Sequence, residues 1–393
     1  MDAAMGQAEL IEFSETGSYQ TAMTSTTAEN LAPRLTSAQP DAHQARALRL
    51  WLCCVVLLVV AMILVGGATR LTDSGLSITE WKPVTGVIPP LSDSAWQEAF
   101  GAYQKIPEYL ELKRGMSLDE FKTIYWWEWG HRFLGRMIGV VFLIPFIGFW
   151  AAGYISRNWL PRLAGLFVLG GLQGAVGWYM VKSGLVTRVD VSQYRLAAHL
   201  GIAFAILGYT LWLIFDLGAP QRRVVRSGSR APAWVGAIVL ALVYLQILAG
   251  GTVAGTDAGF GYNTWPLIKG AFIPSGLGEA EPRFLNVFEN PLTVQFDHRM
   301  LGYVVVLATI AQAAWIALRR RDSELITSSF TVMCFALLQA ALGVWTLLLR
   351  VPTPLGLAHQ AGAIVLFAGT LSHFWLTLGR TVVTKNAQAV ASA

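Results

Sequence analysis

Charge is scarce in this chain of 393 residues: Asp, Glu, Lys and Arg make up 13% of it, against roughly 25% in an ordinary soluble domain. With 54% hydrophobic residues and a mean hydropathy of +0.50, that shortage excludes a water-soluble globule. Cysteine is scarcer still. Cys53 and Cys54 stand side by side in one apolar run and Cys334 in another, so no CxxC or CxxH pair offers a zinc site, and all three read as small buried hydrophobes. Alternating ten-residue strands are missing, which argues against a membrane β-barrel. A secretory signal is missing too. Residues 1–47 are polar, rich in Ser, Thr, Ala and Gln, and carry Asp2, Glu9, Glu12 and Glu15. A mitochondrial presequence would be Arg-rich and acid-poor, so the expectation is a disordered cytoplasmic tail on a bacterial protein.

What is abundant is long apolar sequence. Runs long enough to cross a bilayer, about 20 residues each, lie near 50–68, 133–154, 163–181, 196–215, 233–254, 300–318, 326–349 and 355–378. They predict an all-α integral membrane protein with eight transmembrane helices. Arg157 and Arg162 lie between spans two and three. Arg222, Arg223, Arg226 and Arg230 lie between four and five, and Arg319, Arg320 and Arg321 between six and seven. These three short loops hold nine basic residues, whereas the opposite short loops hold four: Lys182, Arg188, Arg195 and Arg350. By the positive-inside rule both termini, including the tail at 381–393, are cytoplasmic, and the long loops 69–130 and 255–297 are external. The net charge of +5 thus reports membrane orientation and lipid contact rather than nucleic-acid binding.

The sequence repeats itself. Gly66-Gly67 with Thr72-Asp73 and Gly75 at the exit of span one matches Gly250-Gly251 with Thr256-Asp257 and Gly259 at the exit of span five, and a Trp follows each first Gly by fifteen residues, Trp81 and Trp265. His131-Arg132-Phe133-Leu134-Gly135 matches His298-Arg299-Met300-Leu301-Gly302. Leu172-Gln173 with Gly177 matches Leu338-Gln339 with Gly343, and Ala198-His199 matches Ala358-His359. The expectation is two tandem four-helix bundles, 48–220 and 221–380, related as a parallel repeat because an even number of spans preserves orientation. The Thr-Asp segments, flanked by glycine, read as tight turns. Gly171, Gly174 and Gly177 read as a close helix contact. Aromatic residues spaced among charges from Ser92 onward suggest short helices on the outer surface, forming a lid.

Six histidines are present, and His43 and His373 have no counterpart in the other half. The remaining four form the pairs His131 with His199 and His298 with His359, each expected within about one turn of its helix start and all at one depth near the outer face. Facing helices that present one imidazole each can ligate a haem iron from both sides. Zinc lacks a third and fourth ligand at a usual spacing. A di-iron site lacks its second acid, since Glu128-x-x-His131 is answered by Gln295-x-x-His298. That same difference makes Glu128 the main catalytic candidate, one turn ahead of His131 on the same helix face, on a helix that Ser117 and Glu120 would cap further back. Set among Trp126, Trp127 and Trp129, its carboxylate can stabilise positive charge on a substrate or accept a proton. Otherwise it is a solvated surface acid.

These motifs resemble those of the haem A synthase family, in its Cys-free branch of proteobacterial and mitochondrial members, over residues from about 50 to 380. The resemblance rests on Gly66 to Ser77, Glu128 to Arg136, Phe296 to Tyr303 and Leu357 to Gly362. It implies haem b as cofactor between His298 and His359, haem O as substrate between His131 and His199, and Glu128 as the catalytic glutamate. The implied reaction oxidises a ring methyl of haem O to a formyl group. Many relatives carry a cysteine pair in the first external loop, and residues 69–130 hold none. Arg132 and Arg299, next to the ligands, are candidates for pairing with haem propionates or for anchoring at lipid headgroups. Expected partners are a haem O synthase, an electron acceptor and a second copy of the chain, in the bacterial inner membrane with the haem sites toward the periplasm. Two other classes compete. A di-haem b-type cytochrome passing electrons from a quinol explains the four histidines but not Glu128 facing Gln295. A transporter would place its site at the midplane rather than near one surface.

Overall fold

A computed structural model describes residues 40–82, 85–218, 230–319 and 322–378. Eight helices are long and apolar enough to cross a membrane: α1 (Ala42–Leu71), α2 (Leu118–Ala151), α3 (Leu160–Thr187), α4 (Gln193–Gly218), α5 (Ala231–Gly255), α6 (Pro291–Arg319), α7 (Ser323–Leu348) and α8 (Thr353–Thr377). The described residues contain no strand, only an isolated bridge between Ile268 and Ala271.

Caps explain why several helices outrun their apolar runs. Asp41 accepts from the Gln44 amide while Gln44 returns to the Asp41 amide, so α1 begins at Ala42 and residues 42–47 are helical rather than part of a disordered tail. The rest of that expected tail, 1–39, lies outside the described residues, as do Arg222, Arg223, Arg226, Arg320, Arg321 and residues 381–393. Ser117 and Glu120 form the expected capping box, and α2 starts there. His131 therefore lies thirteen residues into α2, and His199, His298 and His359 lie six or seven residues into theirs, deeper than one turn. The polar residues ahead of each histidine continue the helix.

The first four spanning helices pack in a ring, α1 on α2, α2 on α3, α3 on α4 and α4 on α1, and the last four do the same. Helices α2 and α4 thus stand diagonally opposite, as do α6 and α8. The two rings join through α4 against α5, and through α8 against α1 and α4. Their shared core includes Val55, Val59, Phe204, Leu207, Val243, Ile247 and Phe367. The three cysteines are exposed rather than buried. In a membrane an outward-facing apolar side chain meets lipid at no cost, so smallness and apolarity do not send a residue inward.

A second, aromatic core sits beyond the histidine end of α2 and α3. Helix Asp93–Tyr103, helix Pro107–Glu111 and the first turns of α2 bring Trp96 to 4.9 Å from Tyr125 and Phe100 to 5.1 Å from Phe121, ring centre to ring centre. Leu76, Val191, Met180 and Leu185 complete it. It caps the start of α2 and the end of α3.

Candidate functional site

The ring arrangement sets His131 across from His199, and His298 across from His359. The members of each pair lie within electrostatic reach of one another. Each imidazole sits in a notch on the preceding helix. A Cβ added at Gly66 would lie 2.8 Å from His131 Cε1, at Gly177 2.9 Å from His199, at Gly250 3.3 Å from His298 and at Gly343 2.8 Å from His359. At Gly66, Gly177 and Gly343 the ring occupies the space a side chain would take, and at Gly250 the fit is tight but looser. Of the three α3 glycines read as a helix contact, only Gly177 makes one; Cβ atoms at Gly171 and Gly174 would meet nothing within 4 Å. Two imidazoles facing each other across a bundle could hold one haem iron between them, and among the described residues no group of three His, Cys, Asp or Glu side chains is placed to hold a bare metal ion.

Four residues before each notch glycine stand Gln173, Gln246 and Gln339, which reach the ring, and in the first hairpin Met62, whose Cε lies against Gly135. Reading the sequence by halves paired Gln173 with Gln339 but missed Gln246. The signal is a Gln-x-x-x-Gly spacing that recurs at the level of the helix hairpin.

Glu128 is 3% exposed, so it is no solvated surface acid. Its Oε2 accepts from the Ser77 hydroxyl at 2.7 Å and from the Ile78 amide at 2.6 Å, and its Oε1 pairs with Arg132 at 2.5 Å. The expected tryptophan cage is absent: Trp126 and Trp127 are exposed, because they follow the helix face opposite the loop that holds the carboxylate. Trp81 instead lies beneath the Arg132 guanidinium, 5.6 Å from its ring centre. Ser77 closes one of the motifs that carry the resemblance but was given no role in the sequence, and nothing in its spacing marks it as a partner of Glu128.

Arg132 also donates to the carbonyls of Ile78, at 2.8 Å, and Glu80, at 3.0 Å. Arg299 repeats this with the carbonyls of Tyr262 and Thr264, both at 2.8 Å, and with Gln295 Oε1 at 2.6 Å. Gln295 is 2% exposed and donates to the Ala258 carbonyl at 2.6 Å. Both arginines thus clamp helix to loop, and Arg299 Nε is left buried without a partner. The Thr-Asp segments are tight turns, with Asp73 and Asp257 in the left-handed region at φ 47° and 53°. Arg70, which has only Ala254 as its counterpart, bridges them: it contacts Asp73 at 3.1 Å, Asp257 at 2.8 Å, Asp190 at 2.9 Å and the Ala254 carbonyl at 3.0 Å. An apolar groove of about 430 Å³ between α4, α5 and α8, lined by Tyr209, Trp212, Tyr244 and Phe374, contains none of these residues.

Residues 49–371 match the family described as cytochrome oxidase assembly protein, COX15-CtaA. The chain is 50% identical over 345 residues to a heme A synthase of Parvibaculum lavamentivorans, covering 88% of this chain and 98% of that one. It is 49% identical to a heme A synthase of a Chelativorans species, over 89% of this chain and 95% of the relative. A heme A synthase of Maricaulis maris is 50% identical over 84% of this chain and 96% of its own length.

Proposed function

The chain belongs to the COX15-CtaA family of cytochrome oxidase assembly proteins, and we propose that it works as a haem A synthase, oxidising a ring methyl of haem O to a formyl group. The observation that carries this reading is a duplicated pair of opposed imidazoles with a buried acid beside only one of them. The protein is organised as two tandem bundles, 48–220 and 221–380. Supporting this, the Arg132 clamp onto residues 78 and 80 recurs as the Arg299 clamp onto 262 and 264. The nine Arg residues of the short loops support, by the positive-inside rule, a reading with both termini in the cytoplasm of a bacterium and the histidine layer toward the periplasmic side of its inner membrane.

His298 and His359 hold haem b, and His131 and His199 receive haem O. The residues fit such groups: each ring lies against a glycine notch, and the Nδ1 atoms of His131 and His199 are buried without partners, as expected of rings whose contacts a ligand completes. Bound haem b supplies one-electron chemistry. In both arginines the two terminal nitrogens are engaged, by loop carbonyls and by Glu128 or Gln295, and Arg299 Nε, buried and unpartnered, is the donor left for a propionate.

Glu128 acts as a fixed negative charge. Three donors hold its carboxylate one turn from His131, and a charge fixed in a dry site stabilises positive charge developing on a neighbouring substrate without reorganising. Gln295, its counterpart, is neutral and serves only the Ala258 carbonyl. The test is to purify the protein, extract its haems and identify them by mass. Haem b together with haem O, haem A or a hydroxylated intermediate supports the synthase. Two haem b per chain, unchanged when haem O is supplied, would replace this reading with a di-haem cytochrome.

A further inference from the structure

The four imidazoles are held alike except for one contact. Gln173 donates through Nε2 to the His199 carbonyl at 3.1 Å, Gln246 to the His298 carbonyl at 3.0 Å and Gln339 to the His359 carbonyl at 2.8 Å. The same amide nitrogens lie 3.1 to 3.3 Å from a ring nitrogen of that histidine. All three amide oxygens are buried without a partner.

His131 has Met62 in this place. The equivalence is geometric: Met62 Cε and Gln246 Nε2 each lie 3.3 Å from where a Cβ would stand on Gly135 and Gly302. Those glycines follow His131 and His298 by four residues. A thioether has no N–H to give a carbonyl and is a weak acceptor for a ring N–H. An imidazole bound to a metal through one nitrogen presents an N–H on the other, and the group that accepts it fixes the ring's orientation and basicity. Gln173 meets the ring at His199 Nε2, and its own Oε1 and the far ring atom His199 Nδ1 are left without partners.

We infer that Gln173, Gln246 and Gln339 are positioning residues for His199, His298 and His359, and that Met62 leaves His131 as the exchangeable ligand by which the substrate haem enters and leaves. This rests on the haem assignment proposed above. A resident cofactor must stay, and both of its ligands are glutamine-held. A substrate must depart once converted, and one of its two ligands is not held.

The test mixes the full-length, haem-loaded protein with excess apomyoglobin, which traps released haem, and records the low-spin electron paramagnetic resonance signal, which reports the relative orientation of the two imidazole planes. Two release phases are expected, with the fast one abolished by His131→Ala. Outer-shell partners typically change metal affinity by about 10- to 100-fold, so Met62→Gln should slow the fast phase about tenfold and shift its signal. Gln246→Met should speed the slow phase about tenfold and alter the second signal. If Gln246→Met does not fold, Gln339→Met and Met62→Gln put the same question. Unchanged rates and spectra in variants that still hold two haems would overturn the inference alone. Unchanged haem content in both His131→Ala and His298→Ala would overturn the haem assignment beneath it.

Discussion

The two halves of the molecule meet the same packing problem with the same parts and then part company over a single charge. In the C-terminal half the loop after α5 turns a carbonyl, that of Ala258, toward the amide of Gln295. In the N-terminal half the loop after α1 turns a hydroxyl and an amide N–H, from Ser77 and Ile78, toward the carboxylate of Glu128. The arginine clamp is common to both. What differs is the polarity the loop presents, and it matches the side chain it meets, as buried polar groups require. One half is built around a neutral amide, and the other is prepared for an anion.

The comparison breaks most directly if the halves are made alike. Glu128→Gln should lower haem A formation about 100- to 1000-fold, the loss expected when a fixed electrostatic contact to the reacting centre is removed, while both haems remain bound. Normal haem A yield from that variant would remove Glu128 from the chemistry. The next effect is on stability. Arg132→Ala strands a buried carboxylate, and breaking a buried ion pair costs about 3 kcal/mol or more. Arg299→Ala leaves only a neutral Gln295, which costs about 1 kcal/mol. Thermal unfolding in detergent should therefore rank Arg132→Ala well below Arg299→Ala, and equal midpoints would mean that the Glu128 charge is compensated elsewhere.

A smaller difference concerns the notches. Gly66→Ala, Gly177→Ala and Gly343→Ala each place a Cβ 2.8 to 2.9 Å from an imidazole, against 3.3 Å for Gly250→Ala. Overpacking of this kind costs about 1–3 kcal/mol. Haem content after purification should fall in the first three, less in Gly250→Ala, and not at all in Gly171→Ala, whose Cβ meets nothing within 4 Å. A loss in Gly171→Ala equal to that in Gly177→Ala would detach the notch from the imidazole.

Much of this was legible in the sequence because a membrane permits few folds. Eight apolar runs mark the eight helices, and the matched His-Arg and Thr-Asp motifs fall where the structure has matched clamps and turns. Less legible was anything set by side-chain direction. Glu128 stands among three tryptophans in the chain, yet besides Arg132 its partners come from a loop about fifty residues earlier, and nothing local in Ser77 or Ile78 announces this. The cysteines faced outward because lipid, unlike water, does not sort apolar residues by size. Arg70 carries no signal of its own in the sequence, and only the folded chain brings Asp73, Asp190 and Asp257 around it.

The halves also differ in what lies beyond the histidine layer, where the aromatic cap of the first half encloses Glu108 at 4% exposure. Burial pushes this carboxyl from its ordinary value near 4.5 up to about 8; Lys113 opposes the shift, Asp73 and Asp190 add to it, and the Tyr103 hydroxyl bears on it as well. Between those two values the folded cap keeps a proton that the unfolded segment has lost. Its stability must then fall as pH rises through that window and level off above about 8. Glu108→Gln, neutral at every pH, should abolish the slope. Amide hydrogen exchange over residues 93–111 at pH 6 and pH 8, corrected for intrinsic rates, reads the effect: protection drops with pH in the parent and stays level in the variant. The same slope in both proteins would show that the acid is not what couples the cap to pH, and the cap would then be held by its aromatic core alone.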